Sequence, residues 1–182
     1  MKPVLAFLIL SACASVVPGT VARLATLDPL TADPAAIEVA VILPPGLAVV
    51  PGSAKLEFGA TRGAESRKGS FTLRDIAATP DVAAPKGSSA RVFALTTTDA
   101  AQMRALQAEI SAWKREGKAQ GSLGLGIGGC ATGAGPAADA TGSVLIRLDK
   151  DAPFLPLIRE GRLADILGAD VLAAIQPCKG PN

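Results

Sequence analysis

The sequence predicts an α+β fold: a mainly antiparallel sheet of five or six strands, one amphipathic helix over about residues 99–116, and short helices near the C-terminus. Two observations carry this prediction. Short segments with alternating apolar residues follow one another at hairpin-like spacing, and one longer segment repeats apolar residues at helical spacing. Strands grouped around one strong helix are typical of an α+β arrangement. A β-sandwich with an inserted helix is the alternative.

The early strands are predicted from alternation and from the turn residues between them. Pro44-Pro45-Gly46 is a strong turn signal after the first alternating segment. The glycine-bounded stretch 63–69 predicts the loop of a hairpin between the second and third segments. The alternating segments are 37–43, 53–60, 70–76 and 90–96.

The helix is predicted from its caps and from one apolar stripe. Asp99 is expected to cap its N-terminus, with Gln102 three residues on as in a capping box, and Gly117 is expected to end it. The stripe favours core packing for Trp113 over the alternative, a place in an exposed binding site. The stripe comprises Met103, Leu106, Ile110 and Trp113.

A glycine-rich segment over residues 122–129 is predicted to form a strand with two different faces. Leucine and isoleucine alternate with glycine, so one face would be branched and apolar and the other bare. A bare face permits close approach by another backbone, such as the helix, or by a ligand. The glycines that form this candidate site are Gly124, Gly126 and Gly128.

The last third of the chain is predicted to hold one more strand and short helices. Residues 143–149 alternate and are expected to form the final strand. Apolar residues between Leu163 and Ile175 then predict one or two short helices, interrupted near Gly168.

The N-terminus has the order of a bacterial export signal. Lys2 is followed by the apolar run 4–10 and then by Leu10-Ser11-Ala12-Cys13. The tetrad resembles the lipobox of bacterial lipoproteins, in which the cysteine thiol receives a diacylglyceryl group and becomes the new N-terminus. The alternative is ordinary secretory cleavage, because Ala12-Cys13-Ala14 also fits a small-x-small cleavage site.

The lipoprotein resemblance, which covers residues 1–13 alone, implies an address and a domain organisation. It implies at least two acyl chains on Cys13, enough to hold the protein firmly at a membrane. Ala14, where an Asp often signals retention in the inner membrane, favours the periplasmic side of the outer membrane. The expected organisation is a signal peptide over 1–12, a lipidated tether over 13–20 and a single periplasmic domain over 21–182. Without lipidation, the protein would be secreted to the periplasm.

The other two cysteines are expected to pair. Cys130 and Cys178 would lie in an oxidising compartment, where an even number of cysteines usually indicates a disulfide. The bond would join the C-terminal tail to the segment around Gly128. Two unrelated free thiols are the alternative.

Composition excludes several classes of chemistry. The chain contains no histidine, which rules out Ser-His-Asp and Cys-His mechanisms and imidazole-ligated metal sites. Its formal net charge of +2 gives no electrostatic footprint for nucleic acid. Ser111 and Lys114 match the S-x-x-K pattern of penicillin-binding enzymes, but the motifs that accompany it in those enzymes are absent. The pair is explained more simply as part of the polar flank of the helix. We therefore predict no catalytic residue, metal or cofactor.

Three functions remain to be weighed. The first is a non-catalytic envelope lipoprotein that contacts the membrane through Cys13 and binds another envelope protein or supports an assembly. The second is a carrier or sensor of a small apolar ligand, which requires a concave apolar cavity beside the glycine-faced strand. The third is a hydrolase, which requires Ser111 and Lys114 to converge in an open cleft.

Overall fold

The computed structural model describes residues 30–117 and 119–179. The predicted signal peptide, Cys13 and the tether lie outside the described residues. Among the described helices, none is long and apolar enough to cross a membrane.

The strands are β1 (Glu38–Leu43), β2 (Leu47–Val49), β3 (Lys55–Arg62), β4 (Glu65–Ile76), β5 (Ser89–Leu95), β6 (Gln120–Gly126), β7 (Gly129–Ala131), β8 (Thr141–Arg147) and β9 (Leu155–Arg162). The α-helices are α1 (Thr97–Glu116), α2 (Leu163–Leu167) and α3 (Ala169–Ala173), and a 3₁₀ turn spans Pro34–Ala36.

The predicted α+β fold is confirmed. Within the described residues, seven strands form one antiparallel sheet in the order β6-β3-β4-β5-β1-β8-β9, and β2 pairs with β7 in a separate ribbon. The main sheet therefore has one strand more than the upper predicted number. The β-sandwich alternative is not the fold, because α1 covers one face of a single large sheet.

Helix α1 packs on the buried side chains of the sheet, much as its apolar stripe predicts. Met103, Ile110 and Trp113 are each 4% exposed or less and belong to the main core, whereas Leu106 is partly buried against it. The amide of Gln107 is also buried and donates to the carbonyl of Ala32, 2.9 Å away. Trp113 is thus a core residue, as expected.

The N-cap of α1 differs from the prediction. The hydroxyl of Thr96 accepts a hydrogen bond from the backbone N–H of Asp99 at 3.1 Å, so Thr96 is the cap and the helix begins at Thr97. Asp99 lies in the first turn, where a carboxylate favours the helix dipole. Thr96 has the extended backbone of an N-cap, with φ of −68° and ψ of 161°, and Thr97 and Thr98 already belong to the helix, so Asp99 lies inside it. Gly117 ends the helix as predicted.

The hairpin between β3 and β4 is tighter than predicted. Arg62 pairs with Glu65, so the connection is only the two residues Gly63 and Ala64, instead of the predicted loop 63–69. Gly63 has φ of +59°, a left-handed conformation that two-residue hairpin turns require. The first half of β4 is polar and mostly exposed, and therefore lacks the alternation by which strands are predicted from sequence.

The C-terminal third contains a strand that the sequence did not predict. Strand β9 follows β8 and forms an edge of the sheet, so 143–149 is not the final strand. Pro156 makes a strand hard to predict here, because proline is rare inside sheets, but a proline is compatible with an edge strand. The predicted short helices are confirmed as α2 and α3, separated by Gly168 at φ of +89°.

The other face of the sheet carries a smaller core beneath the segment 77–88. Val82 from this segment packs with Ala40 and Val92, which are both fully buried. Phe154 lies at the border of the cluster, partly buried. The sheet is therefore covered on both faces near its centre, and its exposed parts lie towards the edges.

Candidate binding site at the open edge of the sheet

The leucine face of β6 points towards α1. Leu123 lies opposite Phe58 and Leu125 opposite Leu56 in the β3–β6 pairing. Directly opposed residues share a face, and both β3 partners are buried in the main core with α1. Because β6 is an edge strand, Leu123 nevertheless remains 37% exposed.

The predicted glycine face points away from α1. Gly124 lies opposite Glu57 and Gly126 opposite Lys55, whose side chains are exposed. A Cβ at Gly124 would lie 3.6 Å from the Cβ of Glu57, an ordinary contact, and one at Gly126 would meet nothing within 4 Å. These two glycines thus border open space on the outer side of the sheet.

Gly128 lies beyond the end of β6 in a close-packed position. A Cβ there would lie 2.9 Å from the Cβ of Ser53, and its N–H donates to the Ser53 hydroxyl at 3.0 Å. The Gly128 carbonyl accepts from the Val50 N–H at 2.9 Å. Gly128 therefore holds the chain close to the β2–β3 connection, and the structure does not group it with Gly124 and Gly126.

An apolar cavity of about 170 Å³ lies on the concave side of the sheet, beside the leucine face of β6. Its walls come from both edge strands and from strands at the centre of the sheet. In a flat sheet the two edges would lie six spacings apart, about 29 Å. A cavity of this size, about 7 Å across as a sphere, can touch both edges only because the sheet is strongly curled. The lining residues are Val39, Leu56, Leu123, Gly124, Leu125, Ile146, Leu148 and Leu157.

The volume of the cavity limits what it can hold. Sites for whole drug-sized ligands measure about 300–1,000 Å³. An apolar cavity of about 150 Å³ stays dry and admits one benzene-sized molecule. At about 170 Å³, this cavity fits one branched or aromatic group.

The two edges of the sheet differ in how they are protected. Strand β9 carries Pro156, Arg159 and Glu160, its pairing with β8 is interrupted by register shifts, and Glu160 has φ of +46°. Prolines, charges and bulges hinder an edge from pairing with another chain, and on β9 the charges and the positive φ lie in the second half, from Arg159 onwards. Strand β6 has none of these: its sequence, Gln-Gly-Ser-Leu-Gly-Leu-Gly, is free of charge and of proline. Among the described strands, β3 is its one partner.

The chain matches no family model. No curated protein and no solved structure is significantly similar to it. What this edge can do therefore follows from its own residues and their geometry.

The predicted disulfide is confirmed. Cys130 in β7 is bonded to Cys178, with the two Cα atoms 4.8 Å apart. Backbone hydrogen bonds run beside it, from Ala131 to Gln176 at 2.8 Å and from Cys178 to Ala131 at 2.9 Å. The C-terminal tail is thus joined to β7, as the sequence predicted.

An ion pair that the sequence did not reveal lies between the adjacent interior strands β1 and β8. Arg147 donates through Nε and Nη2 to one carboxylate oxygen of Glu38, at 3.0 and 2.7 Å, and both side chains are only 12% exposed. The guanidinium also lies 4.6 Å from the ring centre of Phe154, and its Nη1 approaches Asp81 at 3.5 Å. This pair could not be predicted from the positions of its residues in the chain, because pairing depends on which strands are neighbours.

A groove of about 570 Å³ is lined by Arg147 and by charged residues at the β8–β9 connection. Asp33 lies at its border and has a pKa below its ordinary value of 3.8, because its carboxylate accepts from the Ala35 N–H and pairs with Arg104. The groove mixes charges of both signs, including Lys150 and Asp151, and has no distinct chemical preference.

Ser111 and Lys114 occupy different surroundings on α1. Ser111 is half-buried and borders a groove formed with residues 30–34 and Arg104, whereas Lys114 is exposed and does not border it. The structure therefore offers no shared cleft for this pair within the described residues.

Proposed function

We propose that this chain is a non-catalytic component of the bacterial envelope that binds another envelope protein, held on the periplasmic side of the outer membrane by lipid on Cys13. The anchor is supported by the sequence of the export signal. The binding role is supported by the structure at β6. The fold provides a rigid sheet on which such a binding edge can be presented.

The observation that carries the binding role is the unprotected edge strand beside an apolar cavity. An exposed edge offers unpaired N–H and C=O groups, to which an extended peptide can add as a further strand. Main-chain hydrogen bonds supply affinity, and a pocket that takes an alternate side chain supplies specificity. The chain has both at one place: β6 and the 170 Å³ cavity bordered by Leu123 and Leu125.

The anchor is tested by fractionating envelopes of cells that produce the full chain or its Cys13→Ser variant. We expect the full chain in the outer-membrane fraction, with an N-terminal mass increased by acyl groups. The variant, which lacks the acceptor thiol, is expected to lose both the added mass and the membrane association. An unmodified N-terminus beyond residue 13 in the full chain would contradict the proposal.

The binding role is tested by chemical cross-linking in intact envelopes, followed by isolation of the full chain. We expect the same envelope protein to be cross-linked in repeated experiments and to be lost when the bait is a lipoprotein of unrelated sequence. Mapping the cross-linked residues adds the position of the contact. The absence of any reproducible partner would count against the binding role.

The cavity also favours a second candidate, a carrier or sensor of a small apolar molecule. The volume admits a benzene-sized group, and no charged side chain lines it. Native mass spectrometry of the chain equilibrated with toluene tests this function. Retention of one toluene per chain, together with a raised unfolding temperature, would support the carrier; an unchanged temperature would exclude it at this cavity.

A further inference from the structure

We propose that the partner presents a single extended, uncharged segment that runs antiparallel to β6 and to the uncharged first half of β9, residues 155–158, and closes the curled sheet with an eighth strand. This inference rests on the proposed binding function and specifies the chemistry of the partner. One large apolar side chain of the segment would fill the 170 Å³ cavity between the two edges.

The number of strands in the sheet determines the direction that an eighth strand would have. Every neighbouring pair in the seven-stranded sheet is antiparallel, so direction alternates along the order β6-β3-β4-β5-β1-β8-β9. With an odd number of strands, β6 and β9 run in the same direction. One strand of opposite direction can therefore be antiparallel to both, and closure of a sheet removes its edges.

The same topology favours an isolated segment over a second copy of this chain. A free strand has two hydrogen-bonding edges and can pair with β6 on one side and β9 on the other. Strand β6 of a second copy already uses one edge for β3, and can offer only the other. Pairing between two copies would leave β9 without a partner, and the cavity would stay open towards β9.

The lining of the cavity defines the side chain and the charge of the segment. Each lining residue is an aliphatic residue or glycine, so a charged group there would lose its hydration without a partner. The volume suits one leucine, isoleucine or phenylalanine side chain. Because β6 and residues 155–158 of β9 carry no charge, a neutral segment meets no charged side chain in either strand, although Pro156 offers it no N–H.

The test uses the full, processed chain in phosphatidylcholine nanodiscs and a soluble seven-residue peptide, Thr-Gln-Thr-Leu-Thr-Gln-Thr, with blocked ends. Binding is measured by fluorescence anisotropy of a labelled peptide, with empty nanodiscs as the blank. We expect saturable binding. Replacement of the central leucine by alanine should weaken it at least tenfold, because the cavity would then remain unfilled.

Hydrogen exchange identifies where the peptide binds. We expect slower exchange in Gln120–Gly126 and in residues 155–158 after the peptide is added, since one strand would pair with both edges. Protection of β6 alone would overturn closure of the sheet. Protection of both strands before any peptide is added would also overturn the proposal, because the edges would then be occupied by the chain itself.

Two lysine substitutions separate edge pairing from a general effect of charge. Leu123→Lys places a charge at the mouth of the cavity, at a position that is 37% exposed and therefore tolerant. Thr72→Lys adds the same charge on the exposed face of β4, an interior strand. We expect Leu123→Lys to abolish peptide binding and Thr72→Lys to leave it unchanged. Equal binding by both variants would overturn the proposal.

The two proposals fail in different ways. A reproducible partner whose cross-links map away from β6 and β9 would overturn the eighth strand and leave the envelope-binding function standing. No reproducible partner at all would overturn the binding function. Peptide binding at both edges, with cross-links at β6 in envelopes, supports the two together.

Discussion

At the scale of single residues, the Arg147–Glu38 pair shows how a buried charge is tolerated in this sheet. Both residues lie on adjacent interior strands at directly opposed positions. Two charge-assisted hydrogen bonds replace water that both charges lose, and the ring of Phe154 adds a contact to the Arg147 guanidinium. The pair borders the small core on the outer face, where it links β1 to the β8–β9 connection.

Arg147→Met is expected to destabilise the protein by about 3–5 kcal/mol, because it leaves the Glu38 carboxylate buried without a partner. The double variant Glu38→Met/Arg147→Met should recover most of this loss, since no unpaired charge remains. Arg91→Met is the matched control: it breaks an exposed pair with Asp75 and should cost less than about 1 kcal/mol. Urea unfolding measures all three. If Arg147→Met and Arg91→Met lower the free energy of unfolding by similar amounts, the buried pair contributes no more to stability than the exposed one.

Asp33 provides a prediction about pH at the same scale. Its pKa is lower in the folded protein than the ordinary 3.8, so its contribution to stability is present above that value and is lost as the pH falls through the folded pKa. Asp33→Asn should therefore be less stable at pH 7, by less than about 1 kcal/mol for this exposed pair with Arg104. The difference should vanish in acid, where the protonated Asp33 carboxyl of the parent and the amide that replaces it in the variant are both neutral. Urea unfolding at a series of pH values checks this, and a difference independent of pH would contradict it.

At the scale of elements, the strands that alternate towards the core could be predicted from the sequence. In β3, Leu56 and Phe58 are buried while Lys55 and Glu57 are exposed, as their alternation requires. Strand β9 could not be predicted this way, because it lies at an edge where its residues, apart from Gly161, are half-buried or exposed and do not alternate. The first half of β4 lies inside the sheet, but it was missed because its residues are polar and mostly exposed. The alternation of apolar and polar residues reflects burial of one face of a strand, and it is lost where the strand extends beyond the core.

The disulfide gives a prediction for one element, the C-terminal tail. It closes a loop with a sequence separation of 48 residues. In the chain-entropy model, such a crosslink contributes about 4 kcal/mol by restricting the unfolded state. The double variant Cys130→Ser/Cys178→Ser should therefore have a markedly lower urea midpoint than the oxidised parent. Treatment of the parent with a reductant should lower its midpoint by a similar amount, and an unchanged midpoint in both would show that the bond does not stabilise the fold.

At the scale of the whole molecule, the candidate site arises from long-range pairing. The sequence identified the leucine–glycine strand and its two faces. It could not show that β6 would be an edge, that β9 would be the other edge, or that curling would bring Leu123 near Leu157. These facts depend on the order of seven strands, which is set by contacts distant in sequence. The glycine face itself turned out to lie away from α1.

The cavity predicts a conflict between stability and binding. An unfilled apolar cavity costs about 24 cal/mol per Å³, so 170 Å³ corresponds to at most about 4 kcal/mol. Leu157→Phe adds a larger apolar side chain from the edge strand β9, which has room to adjust, and is expected to raise stability by about 1 kcal/mol. The same change should abolish binding of the leucine peptide, because the side chain of the variant occupies its place.

Val171→Phe is the control for this substitution, since Val171 is 56% exposed on α3 and does not line the cavity. It should leave both the unfolding temperature and peptide binding close to those of the parent. Thermal unfolding and anisotropy titration measure the two properties on the same samples. A Leu157→Phe protein that binds the peptide normally would show that the cavity does not receive the partner's side chain. A protein that is more stable and no longer binds would show that the open cavity is retained for binding at the expense of stability.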